Sequence, residues 1–437
     1  MTTGNHAQPV DVAIVGAGLA GLTAANLLAQ EGLSVVVFER SRTVGGRAAT
    51  RRDRGYSLNL GPHALYRAGA AARVLGQLGL EPAGSRTTGD GTFAILGGKR
   101  HPLPSHTWKL LSTSLLPLAA KIEAARLFAR FHTIDSAALE HVPAEAWIEK
   151  AARRPEVRAL LRGLFRLTTY AANLKALSAG AGVRQVQLGI GGGVRYLDGG
   201  WQSMVDLLAE RAREHGARIV ESAPVTFVDY GDSVRGIHRA DGSFVEASTV
   251  ILATDPATAQ RVTARNGVSP FDRAAKNAVP VLAASLDLAL DGGARRANFA
   301  IGLDQPLYFS VHSAWADLAP AGGTVIHAAK YLDTAPGRAT GAIRAELEAL
   351  VDSIVPDWRE HVVTERFLPS LVVSNALVTA KDGYSGRQTV TTPGIRGLFV
   401  AGDWVGSEGI LADASFASAQ QAATELIATG GSRVAAA

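Results

Sequence analysis

Gly16, Gly18 and Gly21 stand at the spacing G-x-G-x-x-G, with Glu39 downstream and Gly45-Gly46-Arg47 after it. Residues of these types in this order suit a nucleotide diphosphate. Gly16 permits a tight turn, Gly18 lets the backbone come close to a pyrophosphate, and Gly21 allows a helix to pack closely on a strand. Ala17, Leu19 and Ala20 complete the turn. A helix starting there points unpaired N–H groups and the positive end of its dipole at the phosphates, and a carboxylate such as Glu39 can accept a ribose hydroxyl. Arg47, with Arg40 upstream, places fixed cations nearby, and a planar guanidinium can grip two phosphate oxygens at once.

The elements that must position these residues can be read around them. Residues 11–15 form a short β-branched run that predicts a buried strand, an alanine- and leucine-rich helix follows as far as Glu31, and residues 34–38 predict a second strand closed by Glu39. The alternative, a glycine-rich turn in an ordinary βαβ unit, leaves the acid and the second glycine pair unexplained. Residues 16–50 resemble the N-terminal FAD signature of the superfamily of flavin amine oxidases, protoporphyrinogen oxidases and phytoene desaturases, in which the GGR segment contacts FAD. The resemblance implies an α/β protein: a Rossmann-like FAD-binding domain of the GR2 type with an inserted α+β substrate domain.

Further segments extend the resemblance. Gly61-Pro62-His63 is similar to the family's small-residue loop along the isoalloxazine, so His63 either tunes the ring or orients substrate, or else packs as a structural histidine. Val225 matches the residue whose backbone meets adenine. Residues 251–254 resemble a later family strand, with Asp255-Pro256 replacing its glycine turn. Gly402-Asp403 followed by a helix resembles the closing motif, which implies a contact from Asp403 to the ribitol or pyrophosphate and places Leu411 and Ala412 at the flavin's pyrimidine edge. Amine oxidases of the superfamily hold a water near flavin N5 with a lysine on the substrate-domain sheet. Lys330, at a strand end, is the candidate for that role, and a solvent-facing strand-end lysine is its plainer reading. The expected domain map is a discontinuous FAD-binding domain (1–85, 193–263 and 385–429), a substrate domain (86–192 and 264–384), and a flexible tail (430–437).

Composition narrows the rest. The chain has 437 residues, enough for two domains and a large cofactor, and no cysteine, which excludes disulfides, thiolate metal sites and a cysteinyl flavin link. FAD is therefore expected to be noncovalent, a histidyl link remaining open. No metal-ligand spacing occurs. The formal charge of +5 is spread along the chain, unlike a nucleic-acid footprint. No run approaches the roughly 20 apolar residues that span a bilayer, and no secretory leader is evident, so a cytoplasmic protein is expected, soluble or at the membrane periphery. Residues 108–131 predict a helix broken by Pro117, apolar but interrupted by Lys109, Lys121, Arg126 and Arg130. Such a basic amphipathic segment lies on a membrane surface or forms the core side of a substrate domain. Residues 189–193, GIGGG, read as a flexible return.

At the position where amine oxidases carry a cage aromatic, this chain has Ile410-Leu411-Ala412. The substrate expected is small and apolar, and the branch most similar is that of phytoene desaturases. Three functions remain open: an FAD-dependent dehydrogenase or desaturase of an apolar, isoprenoid-like molecule; an amine or amino-acid oxidase making hydrogen peroxide; or a flavin isomerase or binding protein without net redox turnover. The electron acceptor expected is oxygen, a quinone or another carrier.

Overall fold

The computed structural model of the chain describes residues 9–104, 107–335 and 337–429. The expected flexible tail, 430–437, lies outside the described residues, as do residues 1–8.

The strand Val10–Val15 is buried along its whole length, as a β-branched run covered on both faces requires. It pairs in parallel with Val35–Phe38 on one side and with Phe244–Leu252 on the other. Arg218–Val220 extends the sheet beyond Val35–Phe38. The nine-residue strand Phe244–Leu252 changes partners along its length. Its first residues pair antiparallel with Val234–Arg239, which in turn pairs with Val225–Tyr230, while Val250 to Leu252 pair in parallel with Leu398–Val400. Three distant stretches of chain thus share one sheet, and the helices Leu19–Gln30, Trp201–Glu214 and Leu411–Ala428 pack with it in a common hydrophobic core.

A second sheet of seven strands runs in the order Val362–Ser374, Val281–Leu290, Thr324–Leu332, Leu307–Val311, Phe299–Gly302, Thr92–Leu96, Lys99–Pro102. Its edge strand tolerates Pro369, because an outer strand need not donate from every residue. One face packs on the helix Thr340–Ile354. The other meets the helices Ala144–Ala151, Pro155–Thr169 and Ala179–Gly192 in a separate core. Short strands Leu65–Tyr66, Val194–Leu197 and Gly84–Arg86 tie the two regions together.

Residues 189–193 depart from the expectation of a flexible return, since Gly189 to Gly192 complete the helix Ala179–Gly192. Glycine disfavours helix by roughly 1 kcal/mol relative to alanine, and two positions of this helix need glycine for close packing. A Cβ on Gly182 would sit 2.4 Å from the Phe165 ring, and one on Gly192 would sit 2.8 Å from Ala68 Cβ. The segment 108–131 is helical and broken at Pro117 as anticipated, forming Thr107–Ser112 and Leu118–Ala129. Among the described residues no helix is long and apolar enough to cross a membrane.

Candidate active site

A cavity of about 1100 Å³ runs from the glycine-rich turn to the second sheet. Its walls include Gly16, Gly18, Leu19, Ala20, Glu39, Arg40, Gly45, Gly46 and Arg47 at one end. The three glycines divide their labour. A Cβ on Gly21 would lie 1.9 Å from the Gly16 carbonyl oxygen, and Gly16 has φ +105° with its own Cβ position 2.6 Å from the Ala253 oxygen, so both are demanded by packing. Gly18 has φ −82°, and nothing of the protein lies within 4 Å of where its Cβ would be. A glycine there keeps open the cavity space that a pyrophosphate would need. Ala17 and Gly21 do not line the cavity; Ala17 instead donates its N–H to Glu39 Oε2 at 2.8 Å. Glu39 Oε1 accepts from Ser41 N at 2.9 Å. The acid thus clamps the turn, and its remaining lone pairs face the cavity.

Arg47 reaches Asp403 Oδ2 at 2.7 Å and the Val373 carbonyl at 3.1 Å. Asp403 also accepts from Asn375, through the backbone N–H at 2.9 Å and the side-chain amide at 2.8 Å. Burial works to raise the Asp403 pKa, but the Arg47 charge and the Asn375 hydrogen bonds prevail and hold it at about 2. The sequence reading gave Arg47 to the phosphates alone; the geometry makes it first the partner of Asp403. Pro224 and Val225 line the same region, Thr254 and Asp255 bring the end of the later strand and its turn to it, and Thr258 and Arg261, which the motifs did not flag, complete it.

Where the cavity meets the second sheet, Pro62 and His63 form its wall. Gly61 does not. Its φ is +74° and its Cβ position points at Leu371 Cδ2, 3.1 Å away, so the sheet above the loop requires the glycine. The Gly61 N–H donates to Asp287 Oδ2 at 3.3 Å. Asp287 is fully buried and accepts as well from Ser285 Oγ at 2.6 Å, His327 Nδ1 at 2.7 Å and Arg366 Nη2 at 2.7 Å. Burial alone would raise this carboxyl, yet His327 and Arg366 keep it below the usual range. This network, invisible to motif reading because its members come from separate strands, fixes the loop. His63 donates Nδ1–H to the Gly61 carbonyl at 3.0 Å and meets the Trp201 ring edge-on at 4.8 Å. Burial lowers its pKa to about 4, so its imidazole is neutral at pH 7.

Beyond the loop the chamber is aromatic and aliphatic: Tyr66, Tyr170, Phe299, Tyr308, Leu368 and Leu371. The Tyr170 hydroxyl donates to the Pro62 carbonyl at 2.9 Å and that of Tyr66 to the Thr168 carbonyl at 3.3 Å, while Tyr196 and Tyr308 bond each other at 3.3 Å. Ile410, Leu411 and Ala412 all line the cavity. Leu411 has φ +57°, an uncommon conformation for a residue with a side chain, at the first position of the last helix. Asp413, the acid at the start of the last helix, lines the cavity as well: its Oδ1 accepts from Ala71 N at 2.8 Å, and its Oδ2 has no hydrogen-bond partner among the described residues. Burial raises its pKa to about 6. No lysine lines the cavity among the described residues. Lys330 lies instead on the opposite face of its strand, ion-paired with Glu346 of the covering helix. The reason is the period of two: Ala329 and Tyr331 pack in the core on the chamber side, while Ala328 and Leu332 pack with that helix.

The sequence profile described as "Flavin containing amine oxidoreductase" matches residues 19–427. The chain belongs to that family. Family membership makes it a flavin oxidoreductase and implies FAD as cofactor. Over 58 residues, 13% of this chain and 12% of the relative, it is 52% identical to the L-amino acid oxidase Cdc18 of Crotalus durissus cumanensis. Among solved structures, an oxidoreductase from Methanosarcina mazei is similar with a TM-score of 0.75 at 18% identity, over 94% of this chain and 99% of that one. Putrescine oxidase bound to putrescine is similar with a TM-score of 0.71 at 20% identity, over 96% and 99%. At such identities these structures show the shared fold, a Rossmann-like domain joined to a substrate-domain sheet. The residues of this family member fit the cofactor: the open volume at Gly18, the carboxylate of Glu39 and the Arg47–Asp403 pair stand where a dinucleotide needs a turn, a ribose acceptor and a charge-balanced wall.

Proposed function

We propose that this flavin oxidoreductase is a dehydrogenase or desaturase of a neutral, apolar, isoprenoid-like substrate, in the manner of the phytoene desaturase branch, with FAD held noncovalently. One observation carries the reading: the tyrosine hydroxyls of the chamber are engaged by backbone carbonyls or by each other, so apart from the Asp413 carboxyl the surface these walls offer to substrate is rings and aliphatic chains. Apolar chambers with few free polar groups favour apolar ligands. When bound, the flavin supplies a two-electron acceptor for a substrate C–H hydride. The protein's share is to orient. Glu39, Arg47 and Asp403 hold the nucleotide, Asp287 and Arg366 fix the Gly61–His63 loop, and the aromatic walls exclude water and position the substrate's carbon skeleton. Neutral His63 contributes a dipole without a charge. Oxygen, a quinone or another carrier then takes the electrons.

A second reading, an amine or amino-acid oxidase, is favoured by Asp413, a buried carboxyl near aromatic rings, since an ammonium is stabilised by both. Anaerobic mixing of the holoprotein with a polyene and terpenoid panel and with an amine and amino-acid panel separates the two. Flavin bleaching by the first panel alone is expected. Bleaching by amines alone, with peroxide on readmitting air, would establish the second reading, and bleaching by neither would leave a flavin protein without net redox turnover. Acid release of FAD tests the noncovalent link.

A further inference from the structure

Large apolar side chains are unusually exposed beside the substrate chamber. Trp108 is 78% exposed and Leu118 72%, with Leu111 and Ile122 also open to solvent. Trp108 and Leu111 lie three residues apart on the helix Thr107–Ser112, hence on one face. On the helix Leu118–Ala129, Ala120 and Ala124 face the core, while Leu118, Ile122, Arg126 and, just past its end, Arg130 recur every four residues along the outer face. The Lys121 ammonium bonds the Leu111 carbonyl at 2.5 Å, which sets the two helices side by side. The outer face therefore grades from apolar to cationic. Arg126 and Arg130 are exposed and have no ion-pair partner among the described residues, and the acid of this helix, Glu123, is turned to the backbone N–H of Arg153.

The same face adjoins the chamber. Lys109 bonds the carbonyl of Gly89, a residue of the cavity wall, so the Trp108 helix is fastened to that wall from outside. Leu103, just ahead of this helix, lines the cavity too. Ile190, near the end of the helix Ala179–Gly192, lines the cavity as well and is 58% exposed.

We propose that the face carrying Trp108, Leu111, Leu118 and Ile122 docks on an anionic phospholipid surface, with Arg126 and Arg130 at the headgroups. Apolar side chains backed by arginines are the makeup of a surface that lies in a membrane interface without crossing it, and large exposed apolar patches on a folded protein mark a partner surface. Charge selects the lipid: each cation near an anionic leaflet adds to the attraction, and salt weakens that share. Delivery of an apolar substrate from the leaflet to the chamber rests on the function proposed above, whereas the docking itself does not.

The test is flotation of holoprotein with vesicles of phosphatidylcholine alone and with phosphatidylglycerol added. Binding to the anionic vesicles is expected, with emission quenched by brominated lipid in the native protein and less so in Trp108→Phe. Replacing Trp108, Leu111 and Leu118 together by serine should lower the bound fraction at least fivefold while flavin content and melting temperature stay as in the parent. Arg126→Glu with Arg130→Glu should abolish the preference for anionic vesicles. Absence of vesicle binding, or binding indifferent to the triple change, overturns the proposal. So does a dimer in light scattering that the triple change dissolves, because a second copy of the chain would then cover the face. Flavin reduction by detergent-dispersed substrate judges the proposed function separately.

Discussion

Arg47 and Asp403 stand 356 positions apart in the chain and meet at 2.7 Å in the wall of the cavity. Arg47→Met should therefore cost more than a phosphate contact. It leaves a buried carboxylate without its cation, and because the Arg47 side chain is itself 44% exposed the loss should fall below the roughly 3 kcal/mol of a fully buried pair. Reduced flavin content and a lower denaturation midpoint are expected together. The pH dependence follows from the depressed Asp403 pKa of about 2. An unfolded-chain aspartate titrates near about 4, so the stabilisation is complete above that pH and disappears as pH falls from there through the folded value. In Asp403→Asn that acid step should be missing from chemical denaturation curves.

The three glycines of the first turn should respond differently to substitution. Gly18→Val meets no protein atom and needs no unusual φ, so the variant should fold with a near-native melting temperature yet purify colourless and refuse added FAD. Gly21→Val collides with the Gly16 carbonyl and should fail to yield folded protein. A yellow, flavin-replete Gly18→Val would refute the placement of the pyrophosphate.

Lys330→Met should leave flavin content and flavin reduction unchanged. The ion pair with Glu346 is partly exposed, and such pairs contribute about 0 to 1 kcal/mol. A hundredfold loss in the rate of flavin reduction by an amine, about 2.7 kcal/mol of barrier, would instead make this lysine catalytic.

Asp413 gives a pH signature of opposite sign to Asp403. Its pKa is raised to about 6, so the folded state holds a proton that the unfolded chain releases near about 4. Its protonated form favours folding at the acid end, and stability should decline by up to about 3 kcal/mol as pH rises through 6. Asp413→Asn should flatten that slope in a melting-temperature series.

The cofactor wall draws on strands from three stretches of chain, and we propose that residues 1–85, 193–263 and 385–429 act as one FAD-binding unit. Residues 1–190 expressed alone, or a chain ending before Val400, should not bind FAD in equilibrium dialysis. Tight binding by the N-terminal piece would refute the map.

The turn and its acid were legible because their signals are local: Gly16 to Gly21 and Glu39 sit within one βαβ unit, although the hold of Glu39 on Ala17 N–H was not read from them. Asp403 was legible through a second local motif, but its partnership with Arg47 was not, since only tertiary folding brings them together. Gly61 illustrates a right residue with a different physical cause. Its neighbour is Leu371, 310 positions away by number, and nothing near Gly61 in sequence announces it. Lys330 shows the limit of strand reading, since one step in register decides which side of a sheet a residue faces. The Asp287–His327–Arg366 network joins three strands and leaves no pattern in any one of them.

The short strand Leu398–Val400, seated beside Phe244–Leu252, has a consequence for biosynthesis. A ribosome makes the glycine-rich turn well before the strand that completes its sheet, with the second sheet's strands translated in between. Long-range pairings of this kind form slowly. The nascent protein thus lacks a finished nucleotide wall until residues 398–400 can pair with residues 250–252. An unpaired edge at Phe244–Leu252 therefore persists for as long as that last strand is missing.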